Sequence, residues 1–436
     1  MDASDLCAVL APADESGPVA RWRAQARELL AQLGLPGNQD EHWRRADLRF
    51  LASATRGAFG AAPAWAPGGV EATPGLARLH AHTHLCFDGG RFASAPSRLG
   101  GDDAVCAGRL GAATGPDGPG LPGLAPHRGL AGDLRLALLG RAAGADGAQM
   151  LVLRGRTPRR PLVLEHIGSR TGAATACVSH RLCLEPGASA ILVEFHDDRS
   201  EPDFTLLSEL GIELGTSSRL LHLRLVAPTH RAHLVDTLQV EIGRDAEYVQ
   251  RSLIAPAGVL RSTQALRLAG DGSRAALHAG AFAGRGADVD LRLLAEHDAD
   301  ATRSDQTVQL LAARARATVD SEVMVPPGRR RVASRQSLRA LLLEPGCDVA
   351  LRPRLAIRSD DVDSRHGATT AALAEEPLFY LRSRGLDVAQ ARRMLVAAQL
   401  RQVFPETGDE ALDALVGSLL QGALDCALGE PGGGAP

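Results

Sequence analysis

Carboxylate, imidazole and guanidinium groups are concentrated in one stretch of this sequence, Ala356–Gly385. It holds the adjacent acids Asp360 and Asp361, the isolated His366 and an arginine-rich segment. Carboxylate oxygen and imidazole nitrogen are suitable ligands for iron or zinc, and the same groups serve in acid–base chemistry. Adjacent aspartates also form turns by accepting hydrogen bonds from nearby amides. Residue types alone therefore favour a structural role for His366 in a strand-to-helix turn and leave the ligand role open.

Three alternating histidines are a weaker candidate for metal binding. His80, His82 and His84 occupy every second position, so in a β-strand their side chains would project from one face. Imidazoles arranged in this way can bind zinc, nickel or copper. Only Cys86 extends the alternation, and no nearby carboxylate completes a ligand set. A polar strand face that carries histidines without a metal is the ordinary alternative.

Several functional classes are excluded by the composition of the chain. All 48 basic residues are arginine, so the lysine of a GxxxxGK[ST] phosphate-binding loop is absent. No GxSxG nucleophile elbow of a hydrolase occurs. A formal net charge of −3 provides no basic field for nucleic acid or an anionic membrane. We therefore expect no nucleotide bound by this chain, no nucleic-acid partner and no membrane partner.

Cysteine usage and hydropathy together indicate a cytoplasmic protein. The seven cysteines are scattered and never form CxxC, which is typical of reduced thiols. The N-terminus lacks the basic and apolar regions of a secretory signal, and no apolar run is long enough to span a membrane. We expect a cytoplasmic location.

The elements that must position the candidate residues fall into three regions, 1–65, 66–370 and 371–436. Apolar residues at helical spacing predict helices in the first and third regions, with Gly385 as a C-cap and Asp387 as an N-cap. The predicted helices are Pro18–Leu33, Asp40–Leu51, Ala371–Arg384, Val388–Val403 and Glu410–Leu428.

The middle region, 66–370, has the pattern of many short β-strands. Alternate apolar residues recur between turn clusters rich in Gly, Asp, Pro and Arg, as in Leu238, Val240 and Ile242. Such a pattern is typical of a sandwich, a barrel or a coiled β-solenoid. Aromatic residues make up only 3% of the chain, which favours the stacked aliphatic interior of a solenoid. The predicted class is mainly β with helical regions on both sides.

The stretch RPRLAIRSDDVDSRHGATTAALAEEPLFYLRSRG resembles the C-terminal signature of the SufD family of iron–sulfur cluster assembly proteins. That pattern reads approximately PxLEIxADDVKCSHGAT, followed by an acidic helix and FYLRSRG. The segment around Glu41, Trp43 and Leu48 is similar to the family's N-terminal LPxxxxExWxYTxL motif, and Pro327–Leu343 matches in texture. The matching residues of the C-terminal signature are Pro353, Leu355, Ile357, Asp360, Asp361, Val362, His366, Gly367, Ala368, Thr369, Phe379, Tyr380, Leu381, Arg382, Ser383, Arg384 and Gly385.

The resemblance implies a right-handed parallel β-helix core between N-terminal and C-terminal α-helical domains. It also implies a non-catalytic scaffold subunit that pairs with a SufB-like paralogue through the β-helices and docks a SufC-like ABC ATPase on its C-terminal helices. A transient iron–sulfur cluster or iron would be shared with SufB. A homodimer when SufB is absent is the open alternative to the heterodimer.

At the residue level, the resemblance makes His366 a cluster or iron ligand at the partner interface, supported by Asp360 and Asp361. Ser364 stands where the family frequently has cysteine, and a hydroxyl is a poor substitute for a thiolate at iron. Most thiolates would therefore come from SufB, and a purely hydrogen-bonding role for His366 is the rival interpretation. The residues expected to dock the ATPase are Phe379, Tyr380, Arg382, Arg384 and Gly385.

Two alternatives come from other functional classes. A β-helical enzyme acting on polysaccharide would suit the predicted architecture, but sugar sites use aromatic platforms and such enzymes are secreted. A stand-alone metal-binding β-protein would use His80, His82 and His84.

Overall fold

A computed structural model of the chain describes residues 18–37, 39–40, 43, 73–110, 134–144, 146–168, 174–200, 204–405 and 407–428. Within these ranges the chain forms six helices and nineteen strands. The helices are α1 (Pro18–Leu33), α2 (Pro74–Ala77), α3 (Arg135–Ala142), α4 (Glu375–Ser383), α5 (Val388–Arg401) and α6 (Glu410–Leu428). The strands are β1 (Thr83–Asp88), β2 (Arg91–Arg98), β3 (Val105–Arg109), β4 (Ala148–Val152), β5 (Leu162–Gly168), β6 (Ala174–Leu184), β7 (Ser189–Asp198), β8 (Phe204–Leu214), β9 (Arg219–Val226), β10 (His233–Ile242), β11 (Glu247–Ile254), β12 (Val259–Leu268), β13 (Arg274–Ala283), β14 (Asp288–His297), β15 (Arg303–Ala312), β16 (Arg316–Val325), β17 (Val332–Leu342), β18 (Asp348–Ile357) and β19 (Val362–Ala372).

The strands form a parallel β-solenoid with two sheets. From β4 onward, successive strands alternate between the sheets, and each strand pairs in parallel with the strand two positions away in the chain. The first sheet runs β19-β17-β15-β13-β11-β9-β7-β5-β1-β2, and the second runs β18-β16-β14-β12-β10-β8-β6-β4-β3. At one end of the solenoid, β2 pairs antiparallel with β1 and β3 pairs antiparallel with β4. At the other end, β18 and β19 are the last strands of the two sheets and pair in parallel with β16 and β17. The solenoid therefore begins with antiparallel strand pairs and ends with parallel ones.

The solenoid interior is built by side-chain alternation along each strand. In β10, Leu234, Leu238 and Val240 point into the space between the sheets and are at most 2% exposed. Stacking of equivalent leucines, valines and alanines from successive turns extends one apolar core along the axis. This arrangement confirms the expected solenoid in place of a sandwich or a barrel.

The C-terminal helices pack on the outer face of the first sheet. Val396 and Leu400 of α5 and Leu412 of α6 are buried against outward-facing strand residues such as Leu223 and Leu253. Where these helices cover the sheet, both of its faces are apolar, so β9 carries apolar residues of the solenoid core and leucines that contact the helices. By contrast, α4 has no buried residue.

The helices α1 and α3 cover the outer face of the second sheet near its start. Leu30, Trp43 and Leu139 pack there against Leu207 of β8. Beside this contact, Arg141 of α3 donates to the buried carboxylate of Glu209, with its Nε 2.7 Å from Oε2. The helices are fixed to the solenoid by both apolar burial and a charged anchor.

A second arginine completes this anchor. Arg181 donates to Glu209 Oε1 at 3.0 Å, and Ser179 donates to Oε2 at 2.8 Å. The Trp22 ring lies 5.1 Å from the Arg141 guanidinium and 4.8 Å from that of Arg181. Burial alone would raise the pKa of Glu209, but the two guanidinium groups and their hydrogen bonds lower it to about 2.

Two of the predicted helices differ in their bounds, and one of these is the helix predicted as Val388–Val403, which ends at Arg401. α1 and α6 have the predicted bounds, and α5 begins after Asp387, whose side chain accepts from the Gln390 amide in a capping box. The helix expected from Ala371 is different, because β19 continues to Ala372 and α4 starts only at Glu375. Pairing with β17 extends the strand there.

Two sequence expectations concern residues without a described structure. The helix expected over Asp40–Leu51 and the boundary expected at residue 65 lie almost entirely outside the described residues. Among the described helices, none combines the length and apolarity needed to cross a bilayer.

Candidate functional site

His366 lies in the middle of the last strand, β19, and not in a turn. It is exposed, and its register partner on β17 is Gln336. Val362 of the same strand packs against the solenoid core. Because side chains alternate, Ser364 and His366 share that inward face. The imidazole therefore stands at the open mouth of the solenoid, where the next turn of the coil would cover it.

The hydroxyl of Ser364 is occupied by a neighbouring serine. Its Oγ lies 2.7 Å from Ser334 Oγ on β17. The flanking Asp363 and Arg365 point to the opposite face and form a loose exposed pair, with 3.4 Å between Arg365 Nε and Asp363 Oδ1. At the open end of the solenoid, β19 therefore offers one imidazole nitrogen as a possible metal ligand and no thiolate.

The paired acids lie at a different level from His366. Asp360 and Asp361 are exposed in the turn that precedes β19, and the Asp361 carbonyl accepts a hydrogen bond from the Val332 amide at 3.2 Å. At about 3.3 Å per strand residue, Asp361 and His366 are roughly 16 Å apart along the strand. In the described part of the chain no hydrogen bond joins either carboxylate to His366. The acids belong to the turn that starts the strand.

A polar chain, not anticipated from the sequence, runs inward from this mouth. Gln336 donates through Nε2 to Ser321 Oγ at 2.9 Å, and Ser321 donates to the Gln306 side-chain carbonyl. Gln306 in turn donates to the Glu322 carbonyl at 3.2 Å. Gln306, Gln336 and His366 are successive register partners on β15, β17 and β19. The alternation of Ser and Gln in SDQTVQL and ASRQSLR was the available signal.

The helical half of the motif is strongly exposed. Phe379 and Tyr380 of α4 are 72% and 56% exposed, and Met394 on the neighbouring α5 is 58% exposed. Arg384 donates to Tyr380 Oη at 3.2 Å, and its guanidinium lies 5.3 Å from the phenol ring. Gly385 has a φ of 93°, which ends α4 in the left-handed region. Exposed aromatic and arginine side chains on one helical segment are suited to contact another protein.

The alternating histidines do not share a strand face. β1 starts at Thr83, so only His84 lies in a strand, and His80 has a positive φ of 47° after α2. The ring of His84 is buried, with Nε2 2.8 Å from Glu165 Oε2. Burial would raise the pKa of Glu165, but hydrogen bonds from His84 and Thr73 lower it. This histidine is committed to a hydrogen bond with Glu165, and the expected three-histidine face is not formed.

Comparison with known proteins identifies the group to which these features belong. The family model described as SUF system FeS cluster assembly, SufBD core domain, matches residues 167–399. Over 265 residues the chain is 26% identical to the iron–sulfur cluster assembly protein SufD of Escherichia coli K12, covering 60% of this chain and 63% of that protein.

Two other relatives match shorter segments. The chloroplastic protein ABCI7 of Arabidopsis thaliana is 31% identical over 137 residues, which is 30% of this chain and 29% of that protein. The iron–sulfur cluster assembly protein SufD of Plasmodium berghei is 39% identical over 75 residues, which is 17% of this chain and 6% of that protein. The chain therefore spans less than two thirds of the length of each of these three relatives.

Proposed function

The chain belongs to the SufBD family of iron–sulfur cluster assembly proteins, and we propose that it is a non-catalytic scaffold subunit that pairs with a SufB-like paralogue. The observation that carries this proposal is the open end of the solenoid. β19 is the last strand of the first sheet and β18 the last strand of the second.

Edge strands of this kind suit continuation by a second solenoid. Each presents a row of backbone N–H and C=O groups that another strand can satisfy. The aliphatic residues beneath them, such as Leu351 and Leu355, are only partly covered by the core. At the other end, β2 and β3 are antiparallel to their neighbours and do not extend the coil. The β18–β19 end is therefore the interface that we assign to the paralogue.

His366 supplies one nitrogen ligand to the iron–sulfur cluster that the complex assembles and passes on. Its ring is exposed at the proposed interface, and no described side chain hydrogen-bonds to it. Imidazole nitrogen is a suitable iron ligand. Because the Ser364 hydroxyl is held by Ser334 and is a poor iron ligand, the thiolates come from the paralogue. The cluster or iron is thus shared across the interface.

The surface around α4 is assigned to a SufC-like ATPase. Among the described residues, four of the five exposed large apolar side chains lie between Phe379 and Met394. This chain has no lysine and therefore lacks the lysine of a phosphate-binding loop. A partner that hydrolyses ATP would provide the energy for assembly.

Co-purification tests the proposal. The chain is expressed with a SufB-like and a SufC-like protein, and the mass of the intact complex is measured. We expect one copy of this chain, one SufB-like subunit and two SufC-like subunits. A chain that remains a monomer or homodimer when both partners are present would contradict the assignment.

A further inference from the structure

A group of buried polar side chains lies inside the solenoid near its start, away from His366. The group, here called the interior histidine cluster, consists of His166 on β5 and Glu194 and His196 on β7. All three are at most 3% exposed. Six strand steps separate β7 from β19, so the cluster is roughly 29 Å from the open mouth at about 4.8 Å per step. It is a separate feature from the proposed cluster interface.

Strand register brings the two histidines into contact. His166 and His196 are direct register partners, and their rings stack at 4.4 Å between centroids with 7° between planes. Neither ring nitrogen of His166 has a hydrogen-bond partner among the described residues, and the Nδ1 of His196 also lacks one. A buried polar group without a partner destabilises the folded state. These nitrogens therefore call for a ligand that the protein alone does not supply.

The carboxylate of Glu194 lies between two histidine side chains. Its Oε1 lies 2.8 Å from His196 Nε2, and its Oε2 lies 3.1 Å from His222 Nε2. His222 is itself held through Nδ1 by Tyr248 Oη at 2.9 Å. This outer chain of hydrogen bonds fixes the carboxylate in the way that supporting groups fix metal ligands.

Two neighbouring histidines help to define the ligand set by exclusion. The Nδ1 of His180 accepts from the Ala148 amide at 3.0 Å, and that of His230 accepts from the Asp198 amide at 2.9 Å. In the neutral rings the proton is then on Nε2, which cannot ligate a metal. His180 and His230 pack around the cluster as neighbours.

The charge balance of the surroundings favours a cation. Arg224 approaches Glu194 Oε2 at 3.5 Å but forms its closer pair with Asp236, at 2.7 Å between Nη2 and Oδ1. One arginine thus faces two carboxylates. The formal charge of this region is negative before any ion enters.

We propose that His166, Glu194 and His196 bind a divalent first-row metal ion such as Zn²⁺ or Fe²⁺, as a structural site within the solenoid. One donor atom from each lies within 4.8 Å of the others. Donors that share such an ion are roughly 3.4 Å apart, so binding draws them inward by about 1 Å through side-chain rotation. Two imidazoles and a carboxylate suit these metals, and a water molecule supplies the fourth ligand. The ion joins β5 to β7.

The test uses the purified full chain after removal of metal with a chelator. It is titrated with Zn²⁺ against a chromophoric chelator and with Co²⁺ as a spectroscopic probe. We expect one ion per chain, a higher thermal midpoint with metal, and a cobalt spectrum of nitrogen and oxygen ligands without thiolate charge transfer. Absence of stoichiometric binding by the wild-type chain would overturn the proposal, as would thiolate bands.

Variants locate the ion. Glu194→Gln and His166→Asn should each weaken binding at least tenfold. The matched control is His297→Asn, which removes another fully buried histidine whose nitrogens are already paired with Thr302 at 2.7 Å and Ser304 at 2.8 Å. Wild-type affinity in both cluster variants, or equal loss in the control, would contradict the assignment. If a cluster variant does not fold, the cobalt spectrum of the wild type still decides the ligand class.

The proposal is independent of the partner complex. His366→Ala should leave the interior ion in place, and so should replacement of His80 and His82 by asparagine. Loss of the ion in either variant would place the metal at the solenoid mouth or near the start of β1, and the interior assignment would fail.

Discussion

At the residue scale, the significance of His366 comes from its position on the strand. Its ring stands on the inward face of the last strand, next to a serine that is already hydrogen-bonded. A side chain in that place is exposed in the isolated chain, and a second solenoid that continued the coil, as we propose, would cover it.

The first prediction concerns this ring. His366→Ala should leave the fold and the complex intact, because the ring makes no described hydrogen bond, yet it should lower the cluster yield in a complemented strain several-fold. His278→Ala is the matched control, since His278 is a one-third-exposed histidine paired with Asp305 at 3.5 Å on the outer face. An unchanged yield for His366→Ala, or an equal decrease for the control, would remove the ligand role.

The sequence identified His366 as a candidate metal ligand, but it did not identify the interior histidine cluster. Alternation normally separates a buried face from a solvated face. In AILVEFHDD both faces of the strand are buried, because the first sheet has the core on one side and helices on the other. Glu194 and His196 therefore had no polar face to be assigned to, and their proximity to His166 depends on a register that only the structure provides.

At the scale of elements, α4 differs from its neighbours because it buries none of its residues. Local sequence predicted the end of α4 and the start of α5 well. Gly385 follows the C-cap Arg384 with left-handed backbone, and Asp387 is the N-cap of α5. Local sequence misplaced the start of α4, because the β-branched Thr369 and Thr370 continue a strand that pairs with β17.

The second prediction tests the docking surface on this helix. Tyr380→Ala combined with Arg384→Ala should weaken binding of the SufC-like ATPase at least tenfold, since exposed aromatic and arginine residues carry much of the energy of interfaces. Binding is measured by titration calorimetry. Ser418→Ala combined with Gln421→Ala, at exposed positions of α6, should leave the dissociation constant unchanged. Equal constants for all the variants would refute the docking assignment.

The third prediction concerns the charged anchor of α3. Because the folded-state pKa of Glu209 is about 2 and its ordinary value is 4.5, its ionised form stabilises the fold above about pH 4.5. That contribution, roughly 3 kcal/mol, is lost as the pH falls toward 2. Glu209→Gln should destabilise the chain by about 3 kcal/mol at pH 7, because two buried arginines lose their partner.

The pH dependence distinguishes this effect from simple loss of packing. The difference in urea midpoint between wild type and Glu209→Gln should shrink as the pH is lowered from 4.5 to 2. Glu247→Gln, in an exposed pair 3.9 Å from Arg219, should change the midpoint very little at any pH. A gap for Glu209→Gln that stays constant with pH would show that its ionisation does not stabilise the fold.

At the scale of the whole molecule, the solenoid was predictable as a class but not as a coil with a defined register. Val259 pairs with Asp288, Asp288 with Arg316 and Arg316 with Asp348, which are separations of 29, 28 and 32 residues. Turn lengths vary from one rung to the next, so no strict repeat is present in the sequence. Low aromatic content and short alternating strands therefore favoured a solenoid without fixing which strands pair.

The central claim is that the β18–β19 end receives a SufB-like paralogue, and the intact mass of the co-purified complex tests it most directly. Ala368→Asp places a charge on the exposed part of β19, whereas Ala95→Asp places the same charge on exposed β2 at the opposite end. We predict that the full complex is not detected by intact mass with Ala368→Asp and is detected with Ala95→Asp. Full complex with Ala368→Asp, or its loss only with Ala95→Asp, would contradict this assignment of the interface.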